Sequence, residues 1–308
     1  MLSIGECMLE LSILADGGCR LSWGGDTLNT AVYLARLGVP VDYLTALGDD
    51  PFSETMLEGW RAEGVGTQLV ARLAGMLPGL YAIRRDPSGE RSFYYWRQNA
   101  AARELFRHPD AAAAVERIPG YGWVYLSGIT LSLYDPAGRA VLLRQLDRTR
   151  EHGGKIAFDG NFRPRGWADA ATARAAFVQV LERTDLALPS ADDERLLWGD
   201  DDVHGTVERL RAFGVAEIVV KDGPRGCVLA DARSEVTVPA RAGVPVVDTT
   251  AAGDSFNAGY LAARLRGAAP AEAARAGHEL AAAVIGSIGA ILPRDRMPPL
   301  REHARDQV

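Results

Sequence analysis

The run Asp248-Thr249-Thr250-Ala251-Ala252-Gly253-Asp254-Ser255-Phe256 brings tiny residues up to a carboxylate, between a valine-rich stretch (Val244 to Val247) and an alanine-rich one (Phe256 to Leu265). Read as strand, turn and helix, it puts backbone N–H groups and the positive end of a helix dipole where an anion can come close. A carboxylate in such a nest repels a phosphate, so Asp254 needs another task. Accepting the proton of a hydroxyl that attacks a phosphoryl group fits. A plain helix start with an acid in its first turn is the simpler reading, and the length of the run favours the phosphoryl one. Upstream, Gly24-Gly25-Asp26-Thr27-Leu28-Asn29 pairs two glycines, which admit a ligand close to the backbone, with an acceptor (Asp26) and an amide (Asn29) suited to sugar hydroxyls. The segment Phe93-Tyr94-Tyr95-Trp96-Arg97 alternates faces, so Phe93, Tyr95 and Arg97 share one. A tyrosine hydroxyl and a guanidinium suit a carboxylate-bearing sugar, and Tyr81 stands on the facing strand; whether Tyr94 or Tyr95 meets the ligand depends on register. Asp159-Gly160-Asn161-Phe162-Arg163 follows a buried strand, where open α/β sheets place ligands, and Arg163 suits the neutralisation of a transferring phosphoryl group.

Together these segments resemble the ribokinase-like (PfkB) carbohydrate kinases, from about Ile4 to Pro298. The usual signature there is D-T-x-G-A-G-D-x-F, and Ala251 stands in place of its first glycine. That departure, with G-L-Y at 79 to 81 and G-E-R-S-F-Y-Y-W-R at 89 to 97, is similar to the branch acting on 2-keto-3-deoxygluconate. The resemblance implies a three-layer α/β/α sandwich with a mostly parallel central sheet, a small β lid and a single domain over residues 1–308. It implies Asp254 as base, the N–H groups of Ala251, Ala252 and Gly253 as anion hole, and Arg163 with magnesium spreading charge. Gly24, Gly25, Asp26, Asn29, Tyr81, Tyr95, Arg97 and Arg163 then hold the sugar acid. Asn161, Lys221, Gly223, Gly226 and Ala290 flank the nucleotide of ATP. In the magnesium motif N-x-x-E this chain has Ser190 and Asp193, so Asp193 is the expected metal contact, with Glu194 in reserve. A kinase of a neutral sugar such as fructose, and a non-catalytic sugar-binding regulator, are the two alternatives.

The elements needed to position these residues are legible as alternating strands and helices, a pattern of parallel sheets covered on both faces. Leu2 to Glu6, Val41 to Leu47, Trp123 to Gly128, Lys155 to Phe158, Leu186 to Pro189 and Ile218 to Val220 read as strands, and Asp26 to Leu37 as a helix. Asp50-Pro51 and Asp135-Pro136 each pair an N-cap with proline at the first helical position. Leu80 to Arg85 and Arg91 to Arg97 read as a hairpin about Asp86-Pro87-Ser88-Gly89, with Leu9 to Leu14 and Cys19 to Trp23 beside it. Lid strands are therefore expected from about 9–23 and 79–98. Their aromatic residues are too many to be fully solvated and need a ligand, a partner subunit or the main body to cover them; with the family resemblance, this implies a homo-oligomer joined through the lid.

Bulk properties narrow the partners. The 308 residues carry a net charge of −6, which argues against nucleic acid. Cys7, Cys19 and Cys227 form no metal pattern, and the five histidines fall in no ligand spacing. The N-terminus reads as a strand rather than a leader, and no apolar run reaches the ~18–20 residues of a membrane span. A cytoplasmic protein is expected.

Overall fold

The structure is a computed structural model and describes residues 1–14, 17–85 and 91–298. Thirteen strands are described: β1 (Leu2–Ile4), β2 (Met8–Ile13), β3 (Cys19–Gly24), β4 (Asp42–Leu47), β5 (Val70–Arg72), β6 (Leu80–Arg85), β7 (Arg91–Trp96), β8 (Trp123–Ser127), β9 (Lys155–Asp159), β10 (Leu186–Ala187), β11 (Glu217–Lys221), β12 (Cys227–Ala230) and β13 (Glu235–Val238). Nine of them form one sheet in the order β13-β12-β11-β10-β9-β8-β1-β4-β5. Its pairings are parallel from β11 to β5, and antiparallel only where β12 and β13 add an edge. The four remaining strands make a separate sheet, β3-β2-β6-β7.

Strand periodicity builds the two covered faces. Leu2, Ile4, Leu126, Phe158 and Val220 point into one core, while Tyr43, Tyr125, Ala157 and Val219 point into the other. Helices α1 (Asp26–Arg36) and α2 (Pro51–Ala62) cover the second face. The first is closed by α3 (Ala112–Val115), α4 (Gly128–Leu133), α5 (Pro136–Glu151), α6 (Ala170–Leu181), α7 (Ala191–Trp198) and α8 (Val203–Ala212). Helices α9 (Ala252–Leu265) and α10 (Pro270–Ile285) return to the second face. The caps form as expected: Asp50 accepts from the N–H groups of Phe52 (2.9 Å) and Ser53 (3.1 Å), and Asp135 from Gly138 (2.8 Å).

One strand expectation is corrected. Val244 to Val247 is not a strand. Among the described residues, its backbone bond to a neighbouring element comes from Val247, whose N–H donates to Ile285 O at the end of α10 (2.8 Å), and no ladder forms. The turn at Asp86-Pro87-Ser88-Gly89 lies outside the described residues. Among the described residues, no helix is long and apolar enough to cross a membrane.

Candidate active site

Strand order reverses between β1 and β8, and ligand crevices of open α/β sheets lie outside the carboxyl ends at that switch. A cavity of about 1020 Å³ opens there, between the large sheet and the small one. The turn into α9 forms its floor. Ala251 stands in the left-handed region (φ 60°, ψ 18°), and Ser255 Oγ donates back to Ala251 O at 2.7 Å. Asp248 holds the approach: one carboxylate oxygen accepts from Thr250 N–H (3.0 Å) and Thr250 Oγ (2.7 Å), the other from Gly289 N–H (2.9 Å). The helix begins at Ala252, four residues before the predicted start, so Gly253 and Asp254 sit in its first turn with the orphan N–H donors of any helix start. The Ala252 N–H already donates within the turn, to Thr249 O at 3.2 Å. The arrangement fits a phosphate: a Cβ on Gly253 would stand 3.5 Å from Lys221 Nζ, so ammonium and helix end face the same space.

Three carboxylates line the cavity at that floor, each held by its own partners. Asp254 is buried and accepts from Asn29 Nδ2 at 2.8 Å. Asp26, which opens α1, accepts from Asn161 Nδ2 at 2.8 Å. Asp159, at the end of β9, accepts from Lys221 Nζ (3.1 Å) and Asn257 Nδ2 (2.6 Å). Burial first, then the nearby Asp26 and Asp159 charges, push the Asp254 carboxyl up to about 7, against the Asn29 hydrogen bond and the Lys221 charge. A carboxylate titrating there is poised as a base near neutrality.

The small sheet roofs the cavity. Register places Tyr81 opposite Tyr95 and Ile83 opposite Phe93, so Tyr81, Phe93 and Tyr95 face inward while Tyr94 faces out. The Tyr81 and Tyr95 rings stack with centroids 6.0 Å apart, and the Tyr81 hydroxyl donates to Glu10. Gly24, Gly25, Asp26 and Asn29 line the wall below. Gly25 must be glycine, because a Cβ would lie 2.3 Å from the Glu6 carbonyl oxygen. Arg97 is placed differently from the sequence expectation: it does not line the cavity, and its guanidinium pairs with the buried carboxylate of Glu6.

Opposite the lid, Asn161, Arg163, Lys221, Gly223 and Gly226 line one wall. Ala290 does not; its carbonyl accepts from the Tyr33 hydroxyl at 2.7 Å, which anchors the C-terminal segment to α1. Arg163 and Asp193 are paired with each other at 2.9 Å. Glu194 is buried away from the cavity against Arg209 (2.7 Å), and burial pushes its carboxyl up to about 7. Among the described residues no group of three potential ligands gathers for a metal. Magnesium held by phosphates and one carboxylate needs no such group, and the exposed Arg163–Asp193 pair can open at little cost. Sequence reasoning did not single out Asp159 or Asn257 as site residues. Asn257 carries a visible signal, lying one helical turn beyond Asp254. His278, which falls in no ligand spacing in the sequence, lines the cavity with its ring against Phe256, centroids 4.9 Å apart.

Known proteins are similar to this chain in sequence and in fold. The chain is 46% identical over 303 residues to 2-dehydro-3-deoxygluconokinase of Escherichia coli K12, covering 96% of this chain and 97% of that one. It is 39% identical to the enzyme of the same name from Haemophilus influenzae, covering 94% and 95%. In fold it is similar to Salmonella enterica aminoimidazole riboside kinase in complex with aminoimidazole riboside and an ATP analogue, with a TM-score of 0.82 at 24% identity, covering 96% and 95%. Residues 1–297 match the description "pfkB family carbohydrate kinase", and with such relatives along nearly its whole length the chain belongs to that family.

Proposed function

We propose that the chain transfers the γ-phosphoryl group of ATP to the 6-hydroxyl of 2-keto-3-deoxygluconate. The reading rests on one observation above the rest: a buried carboxylate, Asp254, lines the cavity from the first turn of a helix whose N-terminus faces it. Asp254 accepts the hydroxyl proton as the O6–P bond forms and the bond from the γ-phosphorus to the bridging oxygen breaks, its electron pair leaving with ADP. The backbone at Ala251, Ala252 and Gly253 cradles the phosphoryl oxygens, chiefly through the open Gly253 N–H. Arg163 adds charge from the facing wall. Magnesium neutralises phosphate charge when bound, and Asp193 is the residue to hold it. Gly24, Gly25, Asp26, Asn29, Tyr81 and Tyr95 hold the sugar, and Arg97, which must first leave its pair with Glu6, takes its carboxylate. Asn161, Lys221, Gly223 and Gly226 hold the nucleotide, and Ala290 shapes the segment behind it. The lid excludes water, so that ATP is not merely hydrolysed.

A neutral-sugar kinase is the second reading, and the Arg97–Glu6 pair favours it, since Arg97 is occupied within the protein. ADP release with magnesium-ATP separates the two. Turnover is expected with 2-keto-3-deoxygluconate or its galactonate epimer, and not with gluconate, fructose or ribose. Turnover of fructose or ribose instead would leave Asp254 as base and discard the sugar-acid reading. ATP and sugar binding without ADP release would point to the regulator.

A further inference from the structure

Lys221 ends β11 with its ammonium turned inward. Its side chain is 12% exposed and that of Asp159 5%. Nζ donates to Asp159 Oδ2 at 3.1 Å and to Asn257 Oδ1 at 3.0 Å, and Asn257 is itself held by the Tyr125 hydroxyl at 3.1 Å. Three separate elements, β9, β11 and α9, therefore converge on one ammonium. An ammonium has three N–H donors, and these bonds use two. The space beside it is the Gly253 end of α9. A buried pair of this kind stabilises a fold no better than apolar residues of the same size, so stability alone gives little reason for it.

We propose that Lys221 is a catalytic residue of the phosphoryl transfer, and that Asp159 and Asn257 are positioning residues that aim its ammonium at the phosphate cradle. The inference rests on the kinase reading above. In that reaction Lys221 keeps its proton throughout. Its charge stabilises the negative charge that builds on the γ-phosphoryl oxygens and the leaving ADP oxygen while the proton of O6 goes to Asp254.

The groups facing Asp254 are Asp26, Asn29 and Tyr33 from α1, Tyr125 from β8, Asp159 from β9 and Lys221 from β11. Lys221 lowers its pKa and Asp159 raises it. Replacing each removes one influence, and the signs are opposite. The acidic limb of kcat/KM, where Asp254 becomes protonated, should move to higher pH in Lys221→Met and to lower pH in Asp159→Asn. In Lys221→Met, kcat should fall by about 10²–10³-fold, and partial activity should return in Lys221→Arg. Calorimetry adds a readout free of turnover: Lys221→Met should bind the β,γ-imido analogue of ATP at least about tenfold more weakly and bind adenosine as the wild type does. Wild-type affinity for the analogue, or a kcat within about threefold of wild type, would overturn the proposal. So would limbs that move together. If Lys221→Met does not fold, Lys221→Gln and Asp159→Asn decide the same points. Asp254→Asn run in parallel isolates the underlying reading: turnover retained there removes the base, whereas the analogue affinities still judge Lys221.

Discussion

Arg97 already holds a carboxylate of this protein's own. Glu6 is buried, Arg97 is its charge partner, and one atom on each side, Glu6 Oε1 and Arg97 Nε, has no hydrogen-bond partner. Burial raises the Glu6 carboxyl and Arg97 opposes that shift, so the pair is held together by a low-dielectric setting rather than by ideal geometry. On the proposed reading, the carboxylate of a sugar acid replaces Glu6 on this guanidinium. Arg97→Ala is therefore expected to raise KM for 2-keto-3-deoxygluconate by roughly 10–100-fold, the worth of a charge-assisted hydrogen bond, and to spare KM for ATP. Steady-state kinetics with each substrate varied in turn checks this. Equal weakening of both substrates would show Arg97 to act only through Glu6 and the fold. Sequence placed Tyr81, Tyr95 and Arg97 together because strand alternation is local, but the choice of Arg97 between a ligand and Glu6 depends on a residue 91 positions away.

The turn before α9 is the element on which the chemistry depends, and it carries a measurable strain. Ala251 adopts φ 60°, a conformation that costs a Cβ-bearing residue about 1 kcal/mol relative to glycine. No side chain caps the helix there, so beyond Ala252, whose N–H is used within the turn, the N-terminal donors face a ligand without competition from a cap. Ala251→Gly is expected to raise Tm by roughly 2 °C with kcat little changed, as calorimetric melting and turnover would show. Ala251→Val should lower both, because a β-branched side chain fits this backbone poorly. The helices themselves were legible from local chemistry: Asp-Pro caps fix the starts of α2 and α5 wherever the rest of the chain goes. Val244 to Val247 misled because valine content signals a strand, while a ladder requires a neighbour, and here the partner is the end of α10. Asp159 and Asn257 stayed hidden for a related reason. They are 98 residues apart, and neither spacing nor periodicity announces that β9, β11 and α9 meet around Lys221.

At the scale of the molecule, the lid is the feature the monomer leaves unfinished. Its inner face roofs the cavity, and its outer face repeats apolar residues across all four strands. Register aligns Leu21 with Leu11, Leu11 with Ala82, and Ala82 with Tyr94 in one row, and Leu9, Leu80 and Trp96 in the next. Part of this face rests on the body, where the Trp23 indole lies against Gly59 of α2. The rest does not: Leu21 is 47% exposed, Tyr94 49% and Trp96 57%. A row of large apolar side chains on an open sheet face marks a surface meant to be covered, and a self-complementary patch of this kind favours a twofold dimer. A homodimer through the lid is expected in light scattering coupled to size exclusion. Tyr94→Lys combined with Leu21→Glu should shift the protein toward monomer, because each new charge would have to be desolvated against its copy. If lid closure over the sugar depends on that support, the monomer should also show a raised KM for the sugar acid while its affinity for ATP is retained, since Lys221 and the α9 turn belong to the body. A double variant that stays dimeric would place the interface elsewhere and leave the outer face of the lid without a partner of this kind.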